Sequence, residues 1–298
     1  MGKEKTKRAF RLELPTSDGW ELALYEYPLK KKPKAAALCL HAIMADSRTL
    51  DAPAGSGLCS ILAENGIKTY RLDFRGCGKS KPGQGKIDFS FDDMGEDILC
   101  ALRYIKQKNK NLKIFIAGHS LGGSLSMMLL SRGEKLPVSG LAMYSVNVWA
   151  PEFEKNRYLW FQKSIRLFIM GFMTRIFGRL PARKFGAGTE DLPGKFIQQW
   201  ISWRKSGWIS ADGKIRYTDR MGKIKLPLLS HVAAGDTLYS HPAAVKEFVS
   251  RTGSKDRTVE VWGKQNGLAS DLGHMELMMD PEAAAVHRRT VQWMLERT

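Results

Sequence analysis

A serine between two glycines, in Gly118-His119-Ser120-Leu121-Gly122, is the residue of this sequence best suited to nucleophilic chemistry. A serine hydroxyl is a weak nucleophile at neutral pH. It becomes reactive when a neighbouring base takes its proton and a third group orients that base. The flanking glycines allow the chain to turn sharply and expose the hydroxyl. The pentapeptide is too short to establish this chemistry alone, so its surroundings have to support it.

The residues around the pentapeptide predict a strand that leads into the turn and a helix that follows it. Residues 113–117 are short, mostly apolar and rich in residues that favour strands. Residues 121–132 carry apolar side chains at helical spacing, and Gly133 is a natural end for that helix. The sequence therefore predicts a strand–turn–helix unit with Ser120 at the turn.

Among the six histidines, His274 is the best candidate for the base. On a strand–turn–helix scaffold the three groups follow in the chain order serine, acid, histidine, which disfavours His41 and His119. His274 lies in a predicted turn between the last strand and the last helix, and this turn can return to the sheet edge that holds Ser120. The other three histidines are given structural interpretations: packed in a strand for His231, at a helix start for His241, and on the surface for His287.

Asp236 is the favoured group to orient the base. It directly follows a predicted strand, in the run AGDT, and the carboxyl end of that strand lies at the same sheet edge as Ser120. Asp271 is the alternative, and its other interpretation is a loop carboxylate that caps a turn. Asp73 and Asp92 precede the serine and do not fit the chain order.

Two backbone N–H groups are expected to stabilise the negative charge that develops on a substrate oxygen. Leu121, the first residue of the helix after the serine, supplies one of them. The second is expected from residues 41–44, the loop after a small apolar strand. Ile43 is the first choice in that loop, and Met44 is the alternative.

Composition restricts the class of protein. The 298 residues suffice for one large domain with an insertion or for two domains. The four cysteines are far apart and lack metal-binding spacing, which indicates reduced thiols and no metal. No signal peptide and no run long enough to span a membrane is recognised, so a cytoplasmic location is expected. The net charge of +17 comes without a nucleic-acid-binding motif, so nucleic acid is not an expected partner.

The rest of the sequence alternates predicted strands and helices with short connections. This pattern is typical of an α/β fold with a mostly parallel sheet and helices on both faces. The predicted strands are residues 10–14, 20–27, 35–40, 67–74, 113–117, 138–144, 226–234 and 258–262. The predicted helices are residues 50–65, 94–107, 121–132 and one that begins at Asp280-Pro281.

Residues 150–222 interrupt the alternation and are interpreted as a helical insertion after the sixth strand, with residues 1–149 and 223–298 as the core domain. Residues 151–225 hold 16 Lys and Arg against 6 Asp and Glu. An apolar stripe at helical spacing comprises Ile165, Ile169, Phe172, Met173, Ile176 and Leu180, away from Lys163, Arg175 and Arg179. We expect the stripe to pack over the active site and the cations to face solvent.

Five motifs, in chain order, resemble those of serine hydrolases of the α/β-hydrolase superfamily. They are His41-Ala42 for the oxyanion loop, residues 73–80 (DFRGCGKS) for the loop after the fourth strand, residues 118–123, Gly235-Asp236 and Gly273-His274. Ala42 stands where the family usually has glycine. Residues 188–203 (GTEDLPGKFIQQWISW) are similar to a bacterial subgroup of predicted hydrolases without an assigned substrate. The resemblance implies that the insertion occupies the position of a lid.

The function that fits best is hydrolysis of a carboxylic ester through an acyl-enzyme. Ser120 attacks, His274 transfers the proton, Asp236 orients His274, and the amides of Leu121 and Ile43 hold the oxyanion. No metal or organic cofactor is expected. The insertion favours an apolar acyl substrate and a weak, peripheral contact with an anionic membrane surface. Thioesterases, acyltransferases and peptidases use the same machinery, and a non-catalytic binding protein is an alternative of another class.

Overall fold

The chain is organised around a large twisted sheet, in a computed structural model that describes residues 9–298. The strands are β1 (Phe10–Pro15), β2 (Glu21–Glu26), β3 (Ala35–Leu40), β4 (Ile67–Leu72), β5 (Ile114–His119), β6 (Gly140–Tyr144), β7 (Arg179–Leu180), β8 (Leu192–Pro193), β9 (Leu228–Ala233) and β10 (Arg257–Trp262). The α-helices are α1 (Leu58–Glu64), α2 (Phe91–Lys108), α3 (Leu121–Ser131), α4 (Arg157–Phe177), α5 (Gly194–Ser206), α6 (Pro242–Ser250), α7 (Glu276–Met279) and α8 (Ala284–Leu295).

Eight of these strands form the central sheet, in the order β1-β2-β4-β3-β5-β6-β9-β10. In this sheet β2 runs antiparallel to both of its neighbours, β1 and β4, and the other five neighbouring pairs are parallel. The predicted α/β fold with a mostly parallel sheet is therefore confirmed. Because β4, β3, β5, β6, β9 and β10 run in one direction, the loops that follow them meet at a single edge of the sheet.

The central strands are short and apolar because both of their faces are covered. Every residue of β3, β5, β6 and β9 is buried. Alternate side chains of β3 enter different cores: Leu38 and Leu40 pack on the side of α2 and α3, whereas Ala37 and Cys39 pack on the side of α1 and α8. This two-sided burial is what a parallel sheet with helices on both faces requires.

The prediction of one helix over residues 50–65 was wrong. A 3₁₀ turn covers Ser47–Asp51, and α1 begins only at Leu58. Pro53 has no N–H to donate within a helix, and Gly55 has a φ of 85°, so neither residue can continue a helix through this segment.

Residues 150–222 follow β6 and contain α4, the two-stranded pair β7–β8 and α5. The predicted packing of the apolar stripe is confirmed only in part: Met173 and Leu180 are covered, and Arg175 and Arg179 are exposed as expected, but the other four residues of the stripe are exposed. Many large apolar side chains of α4 are exposed: Tyr158, Phe161, Ile165, Phe168, Ile169, Phe172, Ile176 and Phe177. This helix is apolar on nearly all sides, so the sequence pattern could not indicate which side packs inward. Within residues 9–298, no helix has both the length and the apolarity needed to span a membrane.

Lys163 was expected to face solvent, but it is fully buried on the inner side of α4. Its Nζ lies 2.8 Å from a carboxylate oxygen of Glu154, which is also buried, and 5.6 Å from the centre of the Trp149 ring. Burial lowers the pKa of Lys163, although the Glu154 carboxylate opposes this effect. The pair therefore anchors the first half of α4 to the segment that precedes it.

We expect Lys163→Met to lower the free energy of unfolding by about 3–5 kcal/mol, because it leaves the Glu154 carboxylate buried without its cation. Urea unfolding followed by tryptophan fluorescence measures this change. Lys155→Met is the matched control, since Lys155 pairs with Glu247 at 2.7 Å in an exposed position. Such surface pairs contribute about 0–1 kcal/mol. Equal losses in the two variants would contradict an anchoring role for Lys163.

Candidate active site

Ser120 occupies a strained turn between β5 and α3. Its φ of 48° and ψ of −109° lie in a region that residues other than glycine rarely adopt. The backbone N–H of Ser120 donates to the carbonyl of Tyr144 at 2.9 Å and so fixes the turn against β6. Strain of this kind persists only where the surrounding structure enforces it, and here it places the residue at the carboxyl edge of the sheet.

The glycines around Ser120 are required by close packing. A Cβ on Gly118 would lie 2.5 Å from the backbone nitrogen of Gly123. A Cβ on Gly122 would lie 2.5 Å from the Cβ of Leu40 in β3. The start of α3 therefore approaches β5 and β3 more closely than any side chain would allow.

His274 and Asp236 are in direct contact. His274 lies in the loop between β10 and α7, Asp236 follows β9, and Nδ1 of His274 is 2.5 Å from Oδ2 of Asp236. The backbone N–H groups of Tyr239 and Ser240 donate to the same carboxylate at 2.8 and 2.9 Å. Ser120 and His274 line one cavity, so the structure brings all three predicted residues to the same edge of the sheet.

The surroundings of Asp236 keep it ionised. Burial disfavours the carboxylate form, but the hydrogen bonds from His274 and from two backbone amides outweigh this effect. The pKa of Asp236 is therefore below its ordinary value. A carboxylate at this position accepts the Nδ1–H of His274, which leaves Nε2 as the ring nitrogen that can take a proton.

Asp271, the alternative acid, is placed elsewhere. Its Oδ1 accepts the backbone N–H of Lys264 at 2.8 Å, and a side chain on Gly263 would overlap the same oxygen. The carboxylate closes the loop that follows β10, which agrees with its interpretation as a residue that caps a turn.

The loop after β3 is held by His41. Nε2 of His41 accepts the backbone N–H of Phe74 at 3.2 Å, so Nδ1 carries the hydrogen and donates to the carbonyl of Ala42 at 2.8 Å. Because a trans peptide is planar, fixing this carbonyl aims the N–H of Ile43 in the opposite direction. The carbonyl of His41 also accepts the N–H of Gly122 at 3.1 Å, which joins this loop to the start of α3.

The loop of residues 73–80 supports the site from behind. The carboxylate of Asp73 accepts the backbone N–H groups of Ser47 and Lys79, each at 2.9 Å. The guanidinium of Arg75 is buried and pairs with Asp97 at 2.7 Å. These contacts hold together the loops that follow β3 and β4.

A cavity of about 400 Å³ opens beside Ser120 and His274. Its wall is mostly apolar, and much of it consists of aromatic and methionine side chains: Phe91, Trp149, Met170, Met173, Trp200 and Trp203. Arg166 of α4 also lines it. An apolar wall beside a hydroxyl and an imidazole suits a ligand with an apolar portion next to a polar, reactive group. Within residues 9–298, no three His, Cys, Asp or Glu side chains are grouped so as to hold a metal ion.

His119 has a role that the sequence did not indicate. Its Nε2 donates to the carbonyl of His274 at 3.0 Å and ties the loop of the base to the end of β5. Burial, reinforced by the neighbouring His274 ring, lowers the pKa of His119 to about 3, so it is neutral at physiological pH. The sequence offered one signal for this contact: His119 directly precedes Ser120, at the end of a predicted strand and beside the predicted loop of His274.

The remaining histidines are structural. His231 is buried in β9, and His241 caps the N-terminus of α6, as predicted. The prediction that His287 lies on the surface was wrong: it is buried, and its Nε2 donates to the carbonyl of Met278 at 3.2 Å. The apolar face of α8 is wide enough to include this position despite the adjacent Arg288.

Comparison with known proteins bears on the family and the fold of this chain. A family model described as Hydrolase_4, serine aminopeptidase S33, matches residues 32–264. A protein phosphatase methylesterase of Candida albicans is 29% identical over 99 residues, and a tear acid lipase-like protein of Mesocricetus auratus is 28% identical over 139 residues. These alignments include 33% and 42% of this chain, but only 25% and 35% of the relatives' own lengths.

Solved structures share the fold across the whole chain. A soluble variant of monoglyceride lipase from Saccharomyces cerevisiae, bound to a substrate analogue, has a TM-score of 0.70 at 16% identity and covers 100% of this chain and 98% of its own. An esterase from Pyrococcus furiosus has a TM-score of 0.65 at 16% identity, with 100% and 96% covered. Est1E of Butyrivibrio proteoclasticus, with ferulic acid bound, has a TM-score of 0.65 at 20% identity, with 96% and 98% covered.

The buried, neutral His119 should make stability depend on pH. Its folded pKa of about 3 lies below the ordinary value of 6.5, so below pH 6.5 the unfolded chain binds a proton that the folded chain does not. Its contribution to stability is therefore complete above pH 6.5 and is lost as the pH falls toward 3. His119→Gln should reduce the slope of unfolding free energy against pH between 6 and 4 by up to about 1.4 kcal/mol per pH unit.

Urea unfolding at pH 7, 5.5 and 4.5 measures this slope in the two proteins. His231 and His287, whose pKa values burial also lowers, remain in the variant, so part of the slope should persist. Identical slopes in wild type and variant would show that His119 is not held neutral.

Proposed function

This chain belongs to the Hydrolase_4 family (serine aminopeptidase, S33) of the α/β-hydrolase superfamily, and on that premise we propose that it hydrolyses a carboxylic ester with Ser120, His274 and Asp236 as its catalytic triad. The observation that carries the proposal is the 2.5 Å contact between His274 and the ionised Asp236, beside a serine held in a strained turn. This contact leaves Nε2 of His274 available to accept the hydroxyl proton of Ser120.

The reaction proceeds in two halves. The Oγ of Ser120 attacks the ester carbonyl carbon as Nε2 of His274 takes its proton, and a tetrahedral intermediate forms. His274 then gives the proton to the departing alcohol, which leaves an acyl group on Ser120. A water molecule, activated by the same imidazole, releases the carboxylic acid and restores the serine.

The backbone N–H groups of Leu121 and Ile43 are the proposed donors to the negatively charged oxygen of the intermediate. Leu121 begins α3, where the first N–H groups of a helix have no partner within the helix. Ile43 is favoured over Met44 because the bond from His41 to the carbonyl of Ala42 fixes the orientation of the Ile43 N–H.

The cavity favours an ester with an apolar acyl group over a peptide with a free N-terminus. An aminopeptidase has to bind the α-ammonium of its substrate, and buried cations need an anionic or carbonyl partner. Among the described residues that line this cavity there is no Asp or Glu, whereas Arg166 contributes a positive charge. The apolar wall therefore suits a fatty or aromatic acyl chain better than the charged N-terminus of a peptide.

We further propose that residues 150–222 act as a lid whose outer surface rests weakly on an anionic membrane. The exposed side of α4 carries Phe168 and Phe172, which are 66% and 58% exposed. A helix with exposed aromatic side chains in a strongly basic segment fits a lipid–water interface with anionic headgroups. A second copy of the chain fits less well, because the net charge of +17 makes two copies repel each other.

Replacement of the nucleophile tests the proposed chemistry. Ser120→Ala should lower kcat for p-nitrophenyl esters by about 10⁶-fold and should prevent labelling by a fluorophosphonate probe. Ser126→Ala is the matched control, since Ser126 lies in α3, the helix that follows Ser120, and its hydroxyl donates to the carbonyl of Gly122. A Ser120→Ala activity within about tenfold of wild type would show that another nucleophile operates. An inactive but folded wild type would favour a non-catalytic binding protein.

Vesicle binding tests the proposed membrane contact. The wild type should bind phosphatidylglycerol vesicles at low salt, and binding should weaken as salt rises, because charges more than about 8 Å apart are screened at physiological ionic strength. The wild type should bind poorly to vesicles of phosphatidylcholine alone. The double variant Phe168→Ser, Phe172→Ser should lose at least about tenfold in affinity, since burying each aromatic side chain is worth about 1.5–3 kcal/mol.

Ile87→Ser is the control for the loss of exposed apolar surface, because Ile87 is 73% exposed and lies outside residues 150–222. Both variants should hydrolyse a small, water-soluble ester at the wild-type rate. Equal binding to neutral and anionic vesicles, or wild-type binding by the double variant, would refute the membrane contact.

A further inference from the structure

The segment between β7 and β8 folds back on itself and reaches the active site. β7 and β8 pair with each other, so residues 179 and 193 are neighbours. Within the segment, the N–H of Ala187 donates to the carbonyl of Ala182 at 2.9 Å, and Asp191 accepts the N–H of Arg183 at 3.0 Å. Residues 188–190, in the arm of this segment that returns to β8, are called the tip below.

The tip contacts Met44, the last residue of the loop of residues 41–44. The N–H of Thr189 donates to the carbonyl of Met44 at 2.8 Å. A Cβ on Gly188 would overlap that carbonyl oxygen and would lie 2.5 Å from the Cβ of Met44. Gly188 is not in the left-handed region, so glycine is needed at this position for close approach and not for its φ.

Met44 is in a conformation that needs such a contact. Its φ is 56°, a left-handed value that costs a residue other than glycine about 1–3 kcal/mol. The carbonyl of Ala42 is fixed by His41, and the carbonyl of Met44 is fixed by Thr189. Ile43 therefore lies between two carbonyl groups that are each fixed by a hydrogen bond, one from His41 and one from Thr189.

The tip is also attached to the neighbouring loop. Oε1 of Glu190 accepts the backbone N–H of Gly78 at 3.1 Å. Gly78 belongs to the loop of residues 73–80. Asp73 of this loop accepts the N–H of Lys79 and also the N–H of Ser47, which follows β3. The tip is thus fixed to the loops that follow both β3 and β4.

We propose that the tip holds residues 42–44 in the conformation that aims the Ile43 N–H at the substrate oxygen, with Gly188, Thr189 and Glu190 as positioning residues. This inference rests on the proposed ester hydrolysis and on Ile43 as an oxyanion donor. It also gives a role to the start of the run GTEDLPGKFIQQWISW, which the catalytic residues leave unexplained. In this view the insertion is part of the catalytic architecture as well as a cover for the cavity.

Gly188→Ala tests the proposal most directly. The added methyl group has to displace the backbone of Met44, and a misplacement of about 1 Å costs on the order of 10²-fold in rate. We expect kcat for p-nitrophenyl butyrate to fall about 10²-fold per active site with little change in KM. The affinity for a trifluoromethyl ketone, whose adduct with Ser120 carries an oxyanion, should fall by a similar factor.

Gly222→Ala is the matched control. Gly222 is the last residue of the insertion, residues 150–222. Its backbone is outside the left-handed region, and a Cβ there would meet no atom within 4 Å. Rates are expressed per active site after titration of Ser120 to completion with a fluorophosphonate, and thermal unfolding of each variant is recorded. A purely structural role for the tip would lower the unfolding temperature or the fraction of active sites but not kcat per site.

Glu190→Ala and Glu190→Gln provide a second test if Gly188→Ala does not fold. Glu190→Ala removes the acceptor for the Gly78 N–H and should lower kcat, whereas the amide oxygen in Glu190→Gln can still accept this hydrogen bond and should restore part of the rate.

A kcat for Gly188→Ala within about threefold of Gly222→Ala would overturn the proposal. So would equal rates for the two Glu190 variants and wild type. These outcomes are distinct from failure of the proposed function, which would appear as a folded wild type without esterase activity; in that case both proposals fall.

Discussion

The close packing of the Ser120 turn is the constraint on which the rest of the site depends. A serine with this positive φ can be held only if α3 approaches both β5 and β3 without side chains between them, which requires the glycines at 118 and 122. The same packing brings the N–H of Gly122 to the carbonyl of His41, and the N–H of Ser120 to the carbonyl of Tyr144. The position of the serine therefore determines where the neighbouring loops can lie.

The fold and the three central residues of the site could be predicted from the sequence because they follow from local rules. Buried parallel strands are short apolar runs, and residues directly after them meet at one edge of the sheet. This reasoning placed Ser120, Asp236 and His274 at the same edge, and it favoured Asp236 over Asp271. Chain order and strand ends were sufficient for these residues. Ser120 directly follows β5, and Asp236 and His274 lie in the loops that follow β9 and β10 at that edge.

The rest could not be predicted because it depends on contacts between distant segments. The inward side of α4 was predicted only in part, because its apolar residues surround the helix and because the partner of Lys163 is a glutamate outside the helix. The roles of His119 and Thr189 depend on hydrogen bonds to the backbone carbonyls of His274 and Met44. A backbone acceptor leaves no mark in the identity of its own residue, so no motif could reveal these bonds.

The bond between Thr189 and Met44 limits how this protein can diversify. An insertion that only covered a cavity could be exchanged between relatives, and each exchange would alter which acyl groups fit while the chemistry stayed the same. Here an exchanged segment would also have to reproduce a glycine and an N–H donor in the arm that leads into β8. New substrate ranges are therefore more accessible through substitutions on α4 and α5, which leave the hairpin in place, than through replacement of the whole segment.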